Sequence, residues 1–226
     1  MKVLLKNIKP EIYEGIFLRN PESSDLGRKI FREGAYLIAE IGFDAFTFKK
    51  LGERIHSPES SIYRYFENKH KLMLYISSWY WAWIECRLIF ETANLEDANQ
   101  RLTKAIILLN EDTSDEILVD DINESIIKQI LVRDFVKTFP KRDVYNENTE
   151  DFFQSYKGVI HRVAEIIKEI NPNYFYPETL ATNIVEGAMH QHFLKQHFKS
   201  ITNYGESASP TDFFLNMVKS ILNKPI

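Results

Sequence analysis

Cysteine is almost missing from this chain: Cys86 is the only one in 226 residues. One thiol closes no disulfide framework and builds no cysteine-based zinc site, which is the usage expected in a reducing cytoplasm. Glycine is scarce too, at eight residues, and none of it forms a glycine-rich phosphate loop. HExxH and GxSxG are also missing, so the common enzyme signatures have nothing to stand on, and the expectation is that the protein is not an enzyme. No stretch approaches the roughly 18 consecutive apolar residues that a membrane span needs. The opening MKVLLKNIKPEIYEGIF is interrupted by Lys6, Lys9, Pro10 and Glu11 before a signal-peptide core could form. These absences together predict a cytoplasmic protein with no membrane partner. Proline is absent between Pro58 and Pro140, which leaves long helices permitted throughout that span.

What is present is unevenly charged. Up to Lys71 there are 13 Lys and Arg against 10 Asp and Glu, and the remainder holds 15 against 22, so a mildly basic front is followed by an acidic body. A basic front fits a polyanion partner, although a mixed solvated surface has the same count.

The stretch Thr47 to Lys71, TFKKLGERIHSPESSIYRYFENKHK, reads as two short helices joined by a tight turn and followed by the start of a third. Thr47 is a helix N-cap by type, and Phe48, Leu51 and Ile55 recur at three and four residues to give one apolar face. His56-Ser57-Pro58 stops that helix, because proline disfavours helical geometry in the residue before it and suits the start of a new helix, with Ser57 as the expected N-cap. The second helix is predicted over Pro58 to Phe66, with Ile62 and Phe66 facing inward and Glu59, Ser60, Ser61 and Arg64 outward. Two helices with so short a turn cross steeply, and the polar face of the second is about as wide as the DNA major groove admits.

These residues resemble the DNA-binding domain of the TetR family of bacterial transcriptional regulators. The matching features are Leu51-Gly52 for an apolar-Ala pair, Ile62-Tyr63-Arg64-Tyr65-Phe66 for the core signature, and Lys69-His70-Lys71-Leu72 for the lysine-rich start of the next helix. Ile30 to Gly42, with Phe43 and Thr47, looks like the family's first helix and its exit, so the resemblance covers about residues 25 to 72. Departures are His56-Ser57-Pro58 where the family usually has Gly-Val-Ser, Gly52 for the usual alanine, and Glu59 on the face that would meet DNA. A carboxylate there either accepts a hydrogen bond from cytosine N4 or repels phosphates.

The rest of the chain reads as helices. Residues 1–23, with Pro10 and Pro21 and no period, predict an extended or partly disordered arm, in which Lys2, Lys6 and Lys9 either touch DNA or stay loose. Ser23 or Ser24 caps a helix closed by Gly42. Another helix is expected from Asn68 to about Asn94, apolar nearly all round and therefore buried. Further helices are expected over Gln100 to Asn110, from Ser114 through Leu118, Ile122, Ile126 and Ile130, from Asn148 or Thr149 through Ile167, from Pro177 to about Phe198, and from Pro210 onward. No convincing strand is found. The organisation expected is all-α: an arm over 1–23, a three-helix helix-turn-helix domain over 24–71, and a helical ligand-binding and dimerisation domain over 72–226. The small and aliphatic residues Leu180, Ala181, Ile184, Val185, Gly187 and Ala188 suit close helix packing, either within one subunit or across a two-fold axis. The resemblance implies the second, a homodimer through the last two helices.

Few groups suggest chemistry. His190 and His197 roughly share a helix face while His192 points elsewhere, an awkward set for a metal, and no metal or cofactor is expected. The aromatic residues after position 72, among them Trp79, Tyr80, Trp83, Phe153 and Tyr156, are either plain core or the lining of an apolar cavity for a small apolar or aromatic effector.

By motif position the resemblance places Thr47, Lys49, Tyr63 and Lys69 on phosphates, and Glu59, Ser60, Ser61 and Arg64, with Ser57 beside them, toward base edges of a palindromic double-stranded operator. The function it implies is a homodimeric transcriptional regulator, a repressor released by its effector. The alternative is a helical small-molecule or protein-binding module that has lost DNA recognition.

Overall fold

The computed structural model describes residues 11–111, 118–119, 122–134, 151–204 and 208–222. Its helices are α1 (Asp25–Ile41), α2 (Phe48–Ile55), α3 (Glu59–Tyr63), α4 (Lys69–Thr92), α5 (Ala98–Asn110), α6 (Glu124–Asp134), α7 (Gln154–Ile170), α8 (Pro177–His197) and α9 (Pro210–Leu222). Between α5 and α6 a minimal antiparallel pair joins β1 (Leu118–Val119) to β2 (Ile122–Asn123), with Leu118 opposite Asn123 and Val119 opposite Ile122. The fold is all-α apart from this pair. The chain divides into two compact units, Met1–Trp83 with Thr113–Ser155 and Ile84–Asp112 with Tyr156–Ile226. The division falls inside α4, and position 71/72 lies within the first unit.

In the first unit α1 is opened by Ser24, whose hydroxyl oxygen accepts from the Gly27 amide at 3.1 Å, and is closed by Gly42 at φ 82°. Ile30, Phe31 and Ile38 bury completely on the inner face of α1, each contributing about 1.5–3 kcal/mol of apolar burial. Tyr75 of α4 meets Phe31 and Phe66 edge-on, at 5.1 and 5.4 Å between centroids. α6 packs on α1 and ends on it: Arg133 donates to the carbonyls of Ile38 at 2.7 Å and Ala39 at 3.0 Å in the last turn of α1, where the Ile38 carbonyl also accepts from the Gly42 amide at 2.9 Å. Buried Asp134 holds the same guanidinium at 2.9 Å.

Two expectations are corrected in this unit. Residues 11–23 are no loose arm: the Leu18 amide donates to the Tyr65 carbonyl at 2.8 Å, Lys71 donates to the Gly15 carbonyl at 2.9 Å, and Ile16 is buried. Lys2, Lys6 and Lys9 lie outside the described residues. The four-residue spacing from Leu118 to Ile130 is not one helix either, since Leu118 and Ile122 belong to the β pair. α6 starts at Glu124 because Asn123 caps it, its side-chain oxygen accepting from the Ser125 amide at 2.8 Å. Ser114 lies outside the described residues.

In the second unit α5, α8 and α9 pack on one another. Ser209 caps α9, accepting from the Asp212 amide at 3.1 Å. Leu180, Ala181, Ile184, Val185 and Ala188 are all buried within this one chain, and a Cβ on Gly187 would stand 2.7 Å from the Phe214 ring. The small-residue face of α8 is therefore used inside the subunit. Glu178, Thr179, Asn183, Glu186 and His190 are exposed on α8, and Phe213 on α9.

Two predictions concern the first unit. Arg133→Ala removes charge-assisted hydrogen bonds and leaves Asp134 without its guanidinium, and should cost about 1–3 kcal/mol in urea unfolding. Glu33 is the second case: burial pulls its carboxyl pKa up, but hydrogen bonds and charges from Arg54 and Arg32 outweigh it and leave the carboxyl below its ordinary pKa. A carboxyl depressed on folding stabilises the protein above its unfolded pKa and loses that contribution as pH falls through the folded value. The melting-temperature gap between wild type and Glu33→Gln should therefore be present at pH 7 and close below about pH 4.5.

Candidate nucleic-acid interface

The interface is built on a turn. Thr47 caps α2, accepting from the Lys50 amide at 3.2 Å, and Phe48, Leu51 and Ile55 go into the core as their spacing requires. His56 then takes a left-handed conformation, φ 54° and ψ 47°, where a glycine is commoner. The chain folds back at once, and the Ser57 amide donates to the Gly52 carbonyl at 2.9 Å. A Cβ added to Gly52 would stand 2.7 Å from the Ser57 carbonyl oxygen, so this turn has no room for the alanine usual at that position. The composition hinted at the glycine but not at the left-handed histidine, which no local pattern announces.

α3 is shorter than its sequence suggests. It runs Glu59–Tyr63 with Pro58, not Ser57, at the N-cap and no side-chain cap, and half-buried Ser57 stays on the turn. Past Arg64 the chain continues in hydrogen-bonded turns, with the Tyr65 and Phe66 amides donating to the Ile62 carbonyl at 2.9 and 3.1 Å. Tyr65 is pinned there because its hydroxyl shares a hydrogen bond with Ser24 at 2.7 Å. Ile62 and Phe66 are fully buried, Glu59 and Ser61 are half-exposed, and Ser60, Tyr63 and Arg64 are exposed. The Tyr63 ring stands edge-on to Phe48 at 5.0 Å. Its phenol pKa is raised, first by partial desolvation and then by the charge of the Glu59 carboxylate one turn back.

Most cations of this region are occupied. Lys69 lies at the start of α4 with its ammonium on the carbonyls of Phe43, Asp44 and Phe46, at 3.1, 3.2 and 3.2 Å, and over the Phe43 ring at 4.8 Å. Three donors on three carbonyls leave it charge to offer a phosphate, but no uncommitted N–H. Lys29 ties the Ile55 carbonyl at 2.9 Å, Lys50 that of Ala45 at 2.8 Å, and Arg54 pairs with Glu33 at 2.9 Å and with Glu40. Lys49 and Arg64 are exposed, and among the described residues no hydrogen bond or ion pair engages their side chains. Thr47, Lys49, Ser60, Tyr63 and Arg64 are thus solvent-facing around α2 and α3.

The residues expected to line an effector site are placed as follows. Trp79, Tyr80 and Trp83 of α4 are buried in the first unit, with the Trp79 and Trp83 rings stacked 6.3 Å apart. The Trp83 indole N–H donates to the buried Glu124 carboxylate at 2.8 Å. Phe153, half-buried, ends a 3-10 turn of the same unit. Tyr156 belongs to the second unit, where its hydroxyl is hydrogen-bonded to Glu186, and burial and that carboxylate push the phenol pKa far up. None of the five lines either of two half-open clefts in the second unit. One, of about 290 Å³, lies among Leu88, Ile89, Val163 and Ile166 with Arg101, Arg162 and His161 on it. The other, of about 330 Å³, separates α5 from α9 along Leu102, Ile106, Leu215 and Val218. His192 is buried while His190 and His197 are exposed beside Phe193, and among the described residues no group of His, Cys, Asp or Glu is arranged to hold a metal ion. No described helix is long and apolar enough to cross a membrane.

Residues 30–76 match the model of the bacterial regulatory proteins, tetR family. No curated sequence matches. Among solved structures, AibR in complex with isovaleryl coenzyme A and operator DNA is similar at 12% identity and a TM-score of 0.57, over 86% of this chain and 98% of that one. The fatty acid degradation regulator FadR from Bacillus halodurans is similar at 12% identity and TM-score 0.56, over 88% of this chain and 98% of the other. The ketosteroid transcriptional regulator KstR2 of Mycobacterium tuberculosis is similar at 11% and 0.55, over 90% and 97%. At such identities the likeness is one of fold.

The turn yields a test of its own. Gly52→Ala should gain about 1 kcal/mol of helix propensity and lose more, about 1–3 kcal/mol, to overpacking against the Ser57 carbonyl, so its urea midpoint should fall below wild type.

Proposed function

Because residues 30–76 match the model of the bacterial regulatory proteins, tetR family, we propose that the chain is a homodimeric DNA-binding transcriptional regulator. The observation that carries this reading is the exposed polar face of α3, with Lys49 of α2 and Arg64 at the end of α3 exposed and unengaged among the described residues. Each subunit lays α3 in a major groove, the two half-sites of a palindrome lying about 34 Å apart. Thr47 and Lys49 hold phosphates, Ser60, Ser61 and Arg64 reach base edges with Arg64 suited to guanine, and Lys69 adds charge from its carbonyl cradle. Pairing of subunits runs through the outward faces of α8 and α9, where Phe213 is 49% exposed, since the small-residue face of α8 is already covered.

Regulation follows if a small apolar or aromatic effector binds the state whose heads are wrongly spaced more tightly than the DNA-competent state, so that the protein acts as a repressor released by its ligand. Coenzyme A thioester binding by AibR, a neighbour of the same fold, supports an effector role for the body without naming the ligand. A second reading, a binding module without DNA recognition, draws on Glu59 and on the committed donors of Lys69.

A salt titration separates the two. The regulator should bind selected duplex DNA with a steep dependence of log K on log salt, and Lys49→Ala should flatten the slope by about 0.9 per head. Unmeasurable affinity for any duplex at low salt would support the second reading.

A further inference from the structure

The outer surface of α3 presents one carboxylate, and a tyrosine braced on the core stands one turn from it. Glu59 is half-exposed at the first residue of the helix, and no ion pair engages it among the described residues. Tyr63 lies four residues on and hence on the same face, one turn from that carboxylate. The phenol is itself fixed, because its ring rests edge-on against Phe48, which is 4% exposed and part of the core. Thus a core aromatic fixes a tyrosine one turn from an acceptor-only group on the outer surface of α3.

An ionised carboxylate accepts hydrogen bonds and donates none. In the major groove guanine shows it two acceptors and thymine one, while adenine sets an acceptor beside its amino group. Cytosine alone offers an amino donor with no acceptor in the same edge. We propose that Glu59, positioned by Tyr63, selects a cytosine in each operator half-site by accepting from its N4 amino group. The proposal rests on α3 being the helix that enters the groove. It assigns Tyr63 to orienting Glu59 ahead of gripping a phosphate, and it leaves Ser60 and Arg64, four apart on the adjacent stripe, to read neighbouring positions.

The test is selection from a random duplex library with the full-length protein and two variants, each checked for an unchanged melting curve. Wild type should enrich a palindrome with one strongly preferred cytosine per half-site. Glu59→Gln should replace that cytosine with adenine, which a carboxamide pairs through N6 and N7, and leave the rest of the motif intact. Tyr63→Phe should keep the cytosine but lower its preference over other bases by up to about tenfold, with the salt slope unchanged. If Glu59→Gln strengthens binding to all sequences by a common factor and the motif stays as it was, the carboxylate only repels phosphate and the proposal is overturned while the regulator reading stands. If wild type enriches no motif, both are overturned.

Discussion

Everything presented to solvent by α3 depends on how closely the backbone closes on itself between α2 and α3. A methyl group at Gly52 would lie 2.7 Å from the Ser57 carbonyl oxygen, and His56 makes the reversal in a conformation that costs an ordinary residue about 1–2 kcal/mol. Burial of Leu51, Ile55, Ile62 and Phe66 offsets that strain, since each is at most 2% exposed. With those four side chains inward, Ser60 and Arg64 have only one direction left.

The cations show the same economy of placement. Lys29, Lys50 and Lys69 are directed at backbone carbonyls, and Arg54 at carboxylates of α1. Their charge still reaches a phosphate, but fewer of their donors do, because these groups close helix ends and turns. Arg133 does so over the longest separation, tying the end of α6 to the last turn of α1. At the other end of α6, Glu124 is taken by the Trp83 indole, so a single helix of the first unit is anchored to α4 at its start and to α1 at its finish.

The helix-turn-helix was legible in the sequence because its determinants are local: a threonine cap, apolar residues at three and four, and a proline that breaks the helix. Other features were hidden because they rest on distant partners. Nothing in residues 11–23 announces that the Leu18 amide finds the Tyr65 carbonyl or that Lys71 holds Gly15. The Leu118 to Ile130 spacing suited a helix equally well until Asn123 capped it late. The small residues of α8 fit a subunit contact and an internal contact alike, and Phe214 of α9 and the buried neighbours decide for the internal one. The tryptophans of α4 gave no way to tell core from cavity lining, since both need the same residues at the same spacing.

The account is tested most directly by a dimethyl sulfate footprint of the full-length protein on duplex DNA that it selects, because guanine N7 reports major-groove occupancy. Protection in two major-groove segments one helical turn apart on one face of the duplex is the predicted result. Uniform reactivity across the bound duplex, or protection of a single segment, would contradict a paired, groove-reading α3.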